Sequence, residues 1–285
     1  MKIIDINGQV VIDEITKNEL NLDKTFNCGQ TFRWQKHTKD FWYCAINNQI
    51  IALKQEENRI LTNIDIKDKD WLINYLNLDM NYTKEMSEIL TDSDKYLTKS
   101  YEAGKGIHIL RQDVFETVIT FILSQMNSMN NIRNSSNKLC KMFGEPIVQN
   151  IGSIQLQGNL FPTYERLASA SIDELMGCSV GFRAKYIKGI SQYIKNTPDF
   201  IDKLQKLDYT QAMKTLTSFY GIGDKVANCI CLFGLHHIEA FPIDTHIKQI
   251  INNHYSGTLD IKRFGSIAGI AQQYMFYYKA LCKED

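Results

Sequence analysis

A charge imbalance is the first thing missing from this 285-residue chain: 32 lysines and arginines stand against 32 aspartates and glutamates. A neutral chain exerts no sequence-wide pull on nucleic acid or other acidic partners, so any such contact has to come from local clustering. Long apolar runs are missing too. None approaches the ~20 residues of a membrane span, so no membrane partner is expected. The opening Met1–Glu14 carries acids inside its only apolar stretch and lacks the make-up of a secretion signal. The seven cysteines are odd in number and have no framework spacing, which points to a reducing, cytoplasmic compartment. Cys229-x-Cys231 falls in an expected helix, where the two thiols face different ways. No four-cysteine spacing for zinc or iron–sulfur occurs. Neither a metal nor a cofactor is therefore expected. No internal repeat or low-complexity linker interrupts the chain.

What is present begins as β. Asn7-Gly8 predicts a two-residue hairpin turn between Lys2–Ile6 and Gln9–Ile12, and Asn47-Asn48 predicts another between Phe41–Ile46 and Gln49–Lys54. From Asp68 helical spacing takes over, with Trp71, Leu72, Tyr75 and Leu76 on one face. Asp113, with Glu116 three residues later, predicts a capping box that opens a helix through Val118, Ile119, Ile122 and Leu123. Pro162, Ser171 with Glu174, and Pro198 punctuate further helices. The expected fold class is α+β. Residues 1–100 form an antiparallel β subdomain with a few helices, and residues 101–285 form an all-helical body. Basic residues gather locally: Gly181–Lys195 carries Arg183, Lys185, Lys188 and Lys195 with no acid, and Gly104–Lys141 carries five cations against Asp113 and Glu116.

The most informative segment runs from Phe219 to His246. Gly221-Ile222-Gly223 is a pinched turn between helices expected at Thr210–Phe219 and Asp224–Leu235. Two glycines framing one apolar residue let an outside chain approach the backbone, and the free N–H groups of the next helix favour phosphate. Lys225 stands just after the turn, and Asp244 follows nineteen residues on. Lysine at a helix N-terminus opposes the dipole and needs some other reason to be there. An amine beside a bound phosphate backbone, with a carboxylate in reach, can attack a sugar carbon.

This segment resembles the helix-hairpin-helix, here spanning 210–235, of base-excision DNA glycosylases. With Lys225 and Asp244 it looks like the 8-oxoguanine DNA glycosylases, in a bacterial member, and matching stretches run from Asn27 to Phe276. The resemblance implies a bifunctional glycosylase and lyase. Lys225, neutral when it attacks, forms a Schiff base with C1′ of the damaged nucleotide; Asp244 stabilises the cationic sugar; β-elimination then cuts the strand. The implied partner is double-stranded DNA containing 8-oxoguanine, met by a monomer at the nucleoid. No metal is needed for the chemistry, although the hairpin carbonyls could hold a structural cation. The absence of an iron–sulfur spacing separates the chain from the relatives that carry such a cluster.

Further stretches extend the resemblance. Cys28-Gly29-Gln30-Thr31-Phe32-Arg33-Trp34 is similar to the family's Gly-Gln-x-Phe-Arg-Trp, in which the carbonyl of the glycine (here Gly29) accepts the hydrogen on N7 of 8-oxoguanine. The expected recognition helix, 267–281, places Gln272 on the Watson–Crick edge of the flipped base and Phe276 on its face, one turn further along the same side. Cys229, one turn after Lys225, covers the other face. LSQMNSMNNIR resembles the segment that enters the minor groove: gapless counting puts Met126 at the plugging position with Asn127 beside it. The position that reads the opposite cytosine in eukaryotic members is Asn131, or Arg133 if the alignment shifts. Phe182 and Arg183 match a wedge and a reader of the opposite base. Gly221 and Gly223 belong to the DNA-binding hairpin, and His246 matches a phosphate contact. Two rivals remain: a glycosylase for alkylated bases on the same fold, and a helix-hairpin-helix module that binds DNA without enzymatic activity.

Overall fold

The computed structural model describes residues 1–282. Its N-terminal part is a six-stranded antiparallel sheet of β1 (Lys2–Ile6), β2 (Gln9–Asp13), β3 (Gln35–Thr38), β4 (Phe41–Ile46), β5 (Gln49–Gln55) and β6 (Arg59–Asp65), in the order β1-β2-β6-β5-β4-β3. Both expected hairpins form. Asn7 and Gly8 take φ of 55° and 81°, and Asn47 and Asn48 take 51° and 59°. Two successive left-handed residues twist a two-residue turn to match its strands, and asparagine and glycine tolerate that conformation best. One face of the sheet buries Val10, Ile12, Trp42, Ile51, Leu53 and Ile60 against Leu22, Phe26, Trp34 and Leu72.

The body departs from the expected all-helical pattern at one segment. Pro146–Ile151 (β7) and Ile154–Asn159 (β8) pair as a two-stranded ribbon. The ribbon lies on the second face of the sheet, where Leu156 joins Phe41, Ile50 and Ala52 in a small core and the Gln149 side chain accepts from Ile50 N at 2.8 Å. An isolated hairpin is marginal in water, and this apolar support lets it form. The helices Tyr82–Ile89 and Lys95–Gly104 bury their side chains with the helical body, and the second packs along the last helix, Ala268–Leu281.

Val114–Leu123 is the central helix, with nine of its ten residues buried. A helix apolar on every side has to be enclosed. Asp113 caps it as expected, its carboxylate accepting from Glu116 N at 2.7 Å. Glu116 does not close the capping box. Its two carboxylate oxygens instead accept from Arg33 Nε and Nη2 at 2.8 and 2.6 Å. Arg33 also donates to the carbonyls of Ala45 in β4 (2.8 Å) and Asn159 in β8 (3.3 Å). One buried guanidinium thus joins the sheet, the ribbon and the central helix. No helix among the described residues is long and apolar enough to cross a membrane.

Removing one partner of a buried ion pair leaves the other charged and unsatisfied. Arg33 and Glu116 are only 6% and 15% exposed, so Glu116→Ala should cost about 3–5 kcal/mol of stability. Urea unfolding checks this; a loss under ~1 kcal/mol would mean that water reaches the guanidinium.

Candidate active site

A cleft of about 570 Å³ opens between the central helix, the hairpin and the last helix. It collects Lys225, Asp244, Gly29, Cys229, Gln272, Phe276, Met126, Asn127 and His246 on its walls. Among the singled-out residues, Gly221, Gly223, Phe182 and Arg183 lie outside it.

Lys225 sits in the first turn of Asp224–Phe233, where its own helix end disfavours a cation. Its surroundings supply the missing reason. Nζ donates to Ser124 Oγ at 2.9 Å, and Ser124 is the C-cap of Val114–Leu123. The amine therefore rests on the C-terminal end of the central helix, away from the N–H groups of its own. It also lies 5.6 Å from the centre of the Phe121 ring. Asp244 is the N-cap of Thr245–His254, accepting from Ile247 N at 2.8 Å. That bond fixes the carboxylate at a helix end that stabilises an anion. Cys229 is buried beside both groups; burial pushes its thiol up, and the neighbouring Lys225 pulls the other way.

The loop bearing Gly29 is held rigidly. Gln30 is buried; its side-chain amide donates to the carbonyls of Thr25 (3.1 Å) and His108 (2.7 Å), while its Oε1 accepts from Leu110 N at 2.9 Å. Gln273 donates to Cys28 O at 2.8 Å. Gly29 has φ +86°, and a Cβ there would stand 3.2 Å from Met129 Sδ and 3.3 Å from the Phe276 ring. The Phe276 ring meets the edge of His246 at 5.6 Å. Gln272 is 4% exposed and donates to Pro242 O at 3.1 Å, yet its side-chain oxygen is buried and finds no donor among the described residues. An acceptor left this way costs about 1–3 kcal/mol and invites a ligand N–H.

On the rim, Met126 is 93% exposed at the tip of a turn with φ +47°. Asn127 caps the preceding helix instead of projecting outward: its amide donates to Leu123 O at 3.0 Å and its oxygen accepts from Ser128 N. Asn131 is exposed in the first turn of Met129–Phe143. Arg133 points to another groove, donating to Phe26 O and Asn27 Oδ1 at 3.2 and 2.9 Å. Arg183, the expected reader of the opposite base, is held within the DNA-free protein. It is 7% exposed, and main-chain carbonyls of Gln125, Met126 and Val180 take four of its five N–H donors. Phe182 stands half-exposed above it, its ring 4.5 Å from the guanidinium carbon.

The two hairpin glycines differ. At Gly221 (φ +89°) a Cβ would come within 2.3 Å of the Tyr186 ring. At Gly223 the φ is −92° and a Cβ would meet nothing within 4 Å, so the free protein makes no demand for glycine there. Sequence reading missed Ser124, Gln30 and Gln273, whose partners lie far off in the chain. It also missed Tyr220, 83% exposed beside Gly221 and edge-on to Tyr186 at 5.1 Å.

Comparison with known proteins adds an independent line. Residues 13–118 match the 8-oxoguanine DNA glycosylase N-terminal domain, and residues 119–262 match the HhH-GPD superfamily of base excision DNA repair proteins. The chain is 32% identical to an N-glycosylase/DNA lyase of Saccharomyces cerevisiae over 85% of its own length and 70% of that protein's. Against an Arabidopsis thaliana N-glycosylase/DNA lyase it is 28% identical over 92% of its length and 78% of the relative's. The solved 8-oxoguanine glycosylase/lyase of Clostridium acetobutylicum, in complex with double-stranded DNA containing cytosine opposite 8-oxoG, superposes with a TM-score of 0.87 at 28% identity, covering 98% of this chain and 97% of that one.

The glycines give a stability test. Gly221→Ala should destabilise the protein by at least ~1–3 kcal/mol through strain at positive φ, with the clash against Tyr186 added. Gly223→Ala should fall within about 0.5 kcal/mol of wild type. Thermal unfolding of both variants reads the difference, and equal losses would refute the assignment.

Proposed function

We propose, from the premise that this chain belongs to the 8-oxoguanine DNA glycosylase family of the HhH-GPD superfamily, that it cuts damaged DNA by amine attack from Lys225. It is a base excision repair enzyme that removes 8-oxoguanine and acts as glycosylase and lyase. The observation that carries the finer reading is the content of one cleft: an amine, a helix-capping carboxylate and an unpartnered buried amide oxygen face the same space.

In that reading the damaged base leaves the stack and enters between Cys229 and Phe276. The Gly29 carbonyl accepts the N7 hydrogen, and the idle oxygen of Gln272 accepts from the Watson–Crick edge. A guanine would set a lone pair against the Gly29 carbonyl, a mismatch of buried partners that discriminates strongly. Lys225 first gives a proton to solvent; its neutral Nζ then bonds to C1′ as the bond to the base breaks and the electron pair leaves with the base. Asp244 offsets the positive charge developing on the sugar. Loss of a proton from nitrogen and opening of the sugar leave an imine, and removal of a C2′ proton then expels the 3′ phosphate. The bare Gly223 and the N-terminus of Asp224–Phe233 suit a close phosphate, and His246 lies in the first turn of the next helix. We place the enzyme at the nucleoid, working as a monomer.

Lys225→Gln should bind lesion duplex yet lose both base release and scission, and borohydride should trap wild type, not the variant, on DNA. A glycosylase for alkylated bases acting without the lysine would not be trapped, and a pure binding module would cut nothing. Nicking by Lys225→Gln at near wild-type rate would remove Lys225 from the mechanism.

The base opposite the lesion should be read weakly. Asn131 stands where an arginine reads cytosine in eukaryotic relatives, Phe182 offers a ring without a hydroxyl, and Arg183 has four of its five N–H donors engaged. Excision opposite A, G or T should run within roughly tenfold of that opposite C, or ~1.4 kcal/mol. Single-turnover rates against all four bases measure this, and a preference for cytosine of several hundredfold would overturn it.

A further inference from the structure

We propose that Arg183 is a positioning residue: it latches the Gln125–Met126 turn so that Met126 stands ready to enter the duplex, and it does not read the base opposite the lesion. The inference rests on the glycosylase reading and deepens it at the rim of the same site.

Met126 holds φ at +47°, in the left-handed region, which a non-glycine residue keeps only where its surroundings over-determine it. Its side chain is 93% exposed, so burial of its own offsets none of that strain. The backbone around it is what is held. Arg183 Nε donates to Gln125 O at 3.0 Å, Nη2 donates to the same oxygen and to Met126 O at 3.2 Å, and Nη1 donates to Val180 O at 3.1 Å. From the opposite side the Gln125 amide donates to Gly221 O at 3.0 Å, tying the turn to the hairpin. Phe182 lies against the guanidinium at 4.5 Å and shields it from water.

A guanidinium has five N–H donors, and these contacts occupy four. Reading cytosine with a donor pair would break at least one bond of the latch. Keeping the latch does something else. It presents an apolar side chain on a turn already ordered, so insertion into the gap left by the flipped base carries little further ordering cost. Such a plug acts alike on every opposite base.

The test is single-turnover excision of 8-oxoguanine opposite C, A, G and T, and opposite an abasic site, by wild type, Arg183→Gln and Arg183→Lys. Arg183→Gln should lose about tenfold or more, by the same factor against all four bases, as release of a strained turn implies. Arg183→Lys, whose compact ammonium cannot span the carbonyls, should show the same uniform pattern in smaller degree. Opposite an abasic site, where no pair resists flipping, both variants should cut near the wild-type rate. A loss confined to cytosine overturns the proposal in favour of direct reading. An equal loss opposite the abasic site also overturns it, because a general defect of fold would then account for the rates. If wild type leaves every lesion intact, the glycosylase reading falls first and the latch with it.

Discussion

The buried pair of Arg33 and Glu116 is the constraint on which the site's geometry depends. Its two residues lie 83 positions apart in the chain and meet with two parallel hydrogen bonds. A buried ion pair is weak as a source of stability, since desolvation cancels much of the attraction. Its value here is geometric. Arg33 ends the loop that carries Gly29, and Glu116 stands two turns upstream of Ser124, the residue on which Lys225 rests. The residue assigned to recognise the base and the one assigned to attack the sugar are thereby referred to one helix. A shift of that helix moves both together.

The same logic separates the residues that build the cleft from those that work in it. Gln30 and Gln273 are spent on backbone carbonyls, and together they clamp the Gly29 loop. Gln272, next in the chain to Gln273, uses half of its amide in the same way and leaves the other half without a partner. Adjacent glutamines on one helix thus differ: one braces the Gly29 loop, and the other leaves an acceptor without a partner at the cleft. Lys225 shows a related compromise: it is badly placed on its own helix and well placed on its neighbour's, so its position makes sense only at the tertiary level.

What was legible in the sequence follows from how local each signal is. Asn7-Gly8 and Asn47-Asn48 read as hairpins because left-handed φ has few takers, and both formed. Asp113 read as a cap because a short carboxylate before an apolar helix has little else to do. The gathering of Lys225, Asp244, Gly29, Gln272 and Phe276 around one cleft was legible through family motifs and not through periodicity. What stayed hidden was pairing over distance. Glu116 had the right spacing for a capping box, and a cation from another subdomain claimed it instead. The ribbon 146–159 is too short and too weakly patterned to announce itself without the sheet it covers. Arg183 and Asn127 both sit where motif matching would turn them toward DNA, and both are engaged by carbonyls of their own chain.

The two stretches of family likeness meet between residues 118 and 119, in the middle of the central helix. That helix is enclosed on every side, packed in the body's core and bolted to the sheet through Glu116. A seam at this point is a boundary of description and not of folding. Neither half could stand alone as a self-contained module, because each would leave an apolar half-helix without its enclosure. The chain should therefore behave as one cooperative unit: substitutions on the sheet side are felt at Lys225.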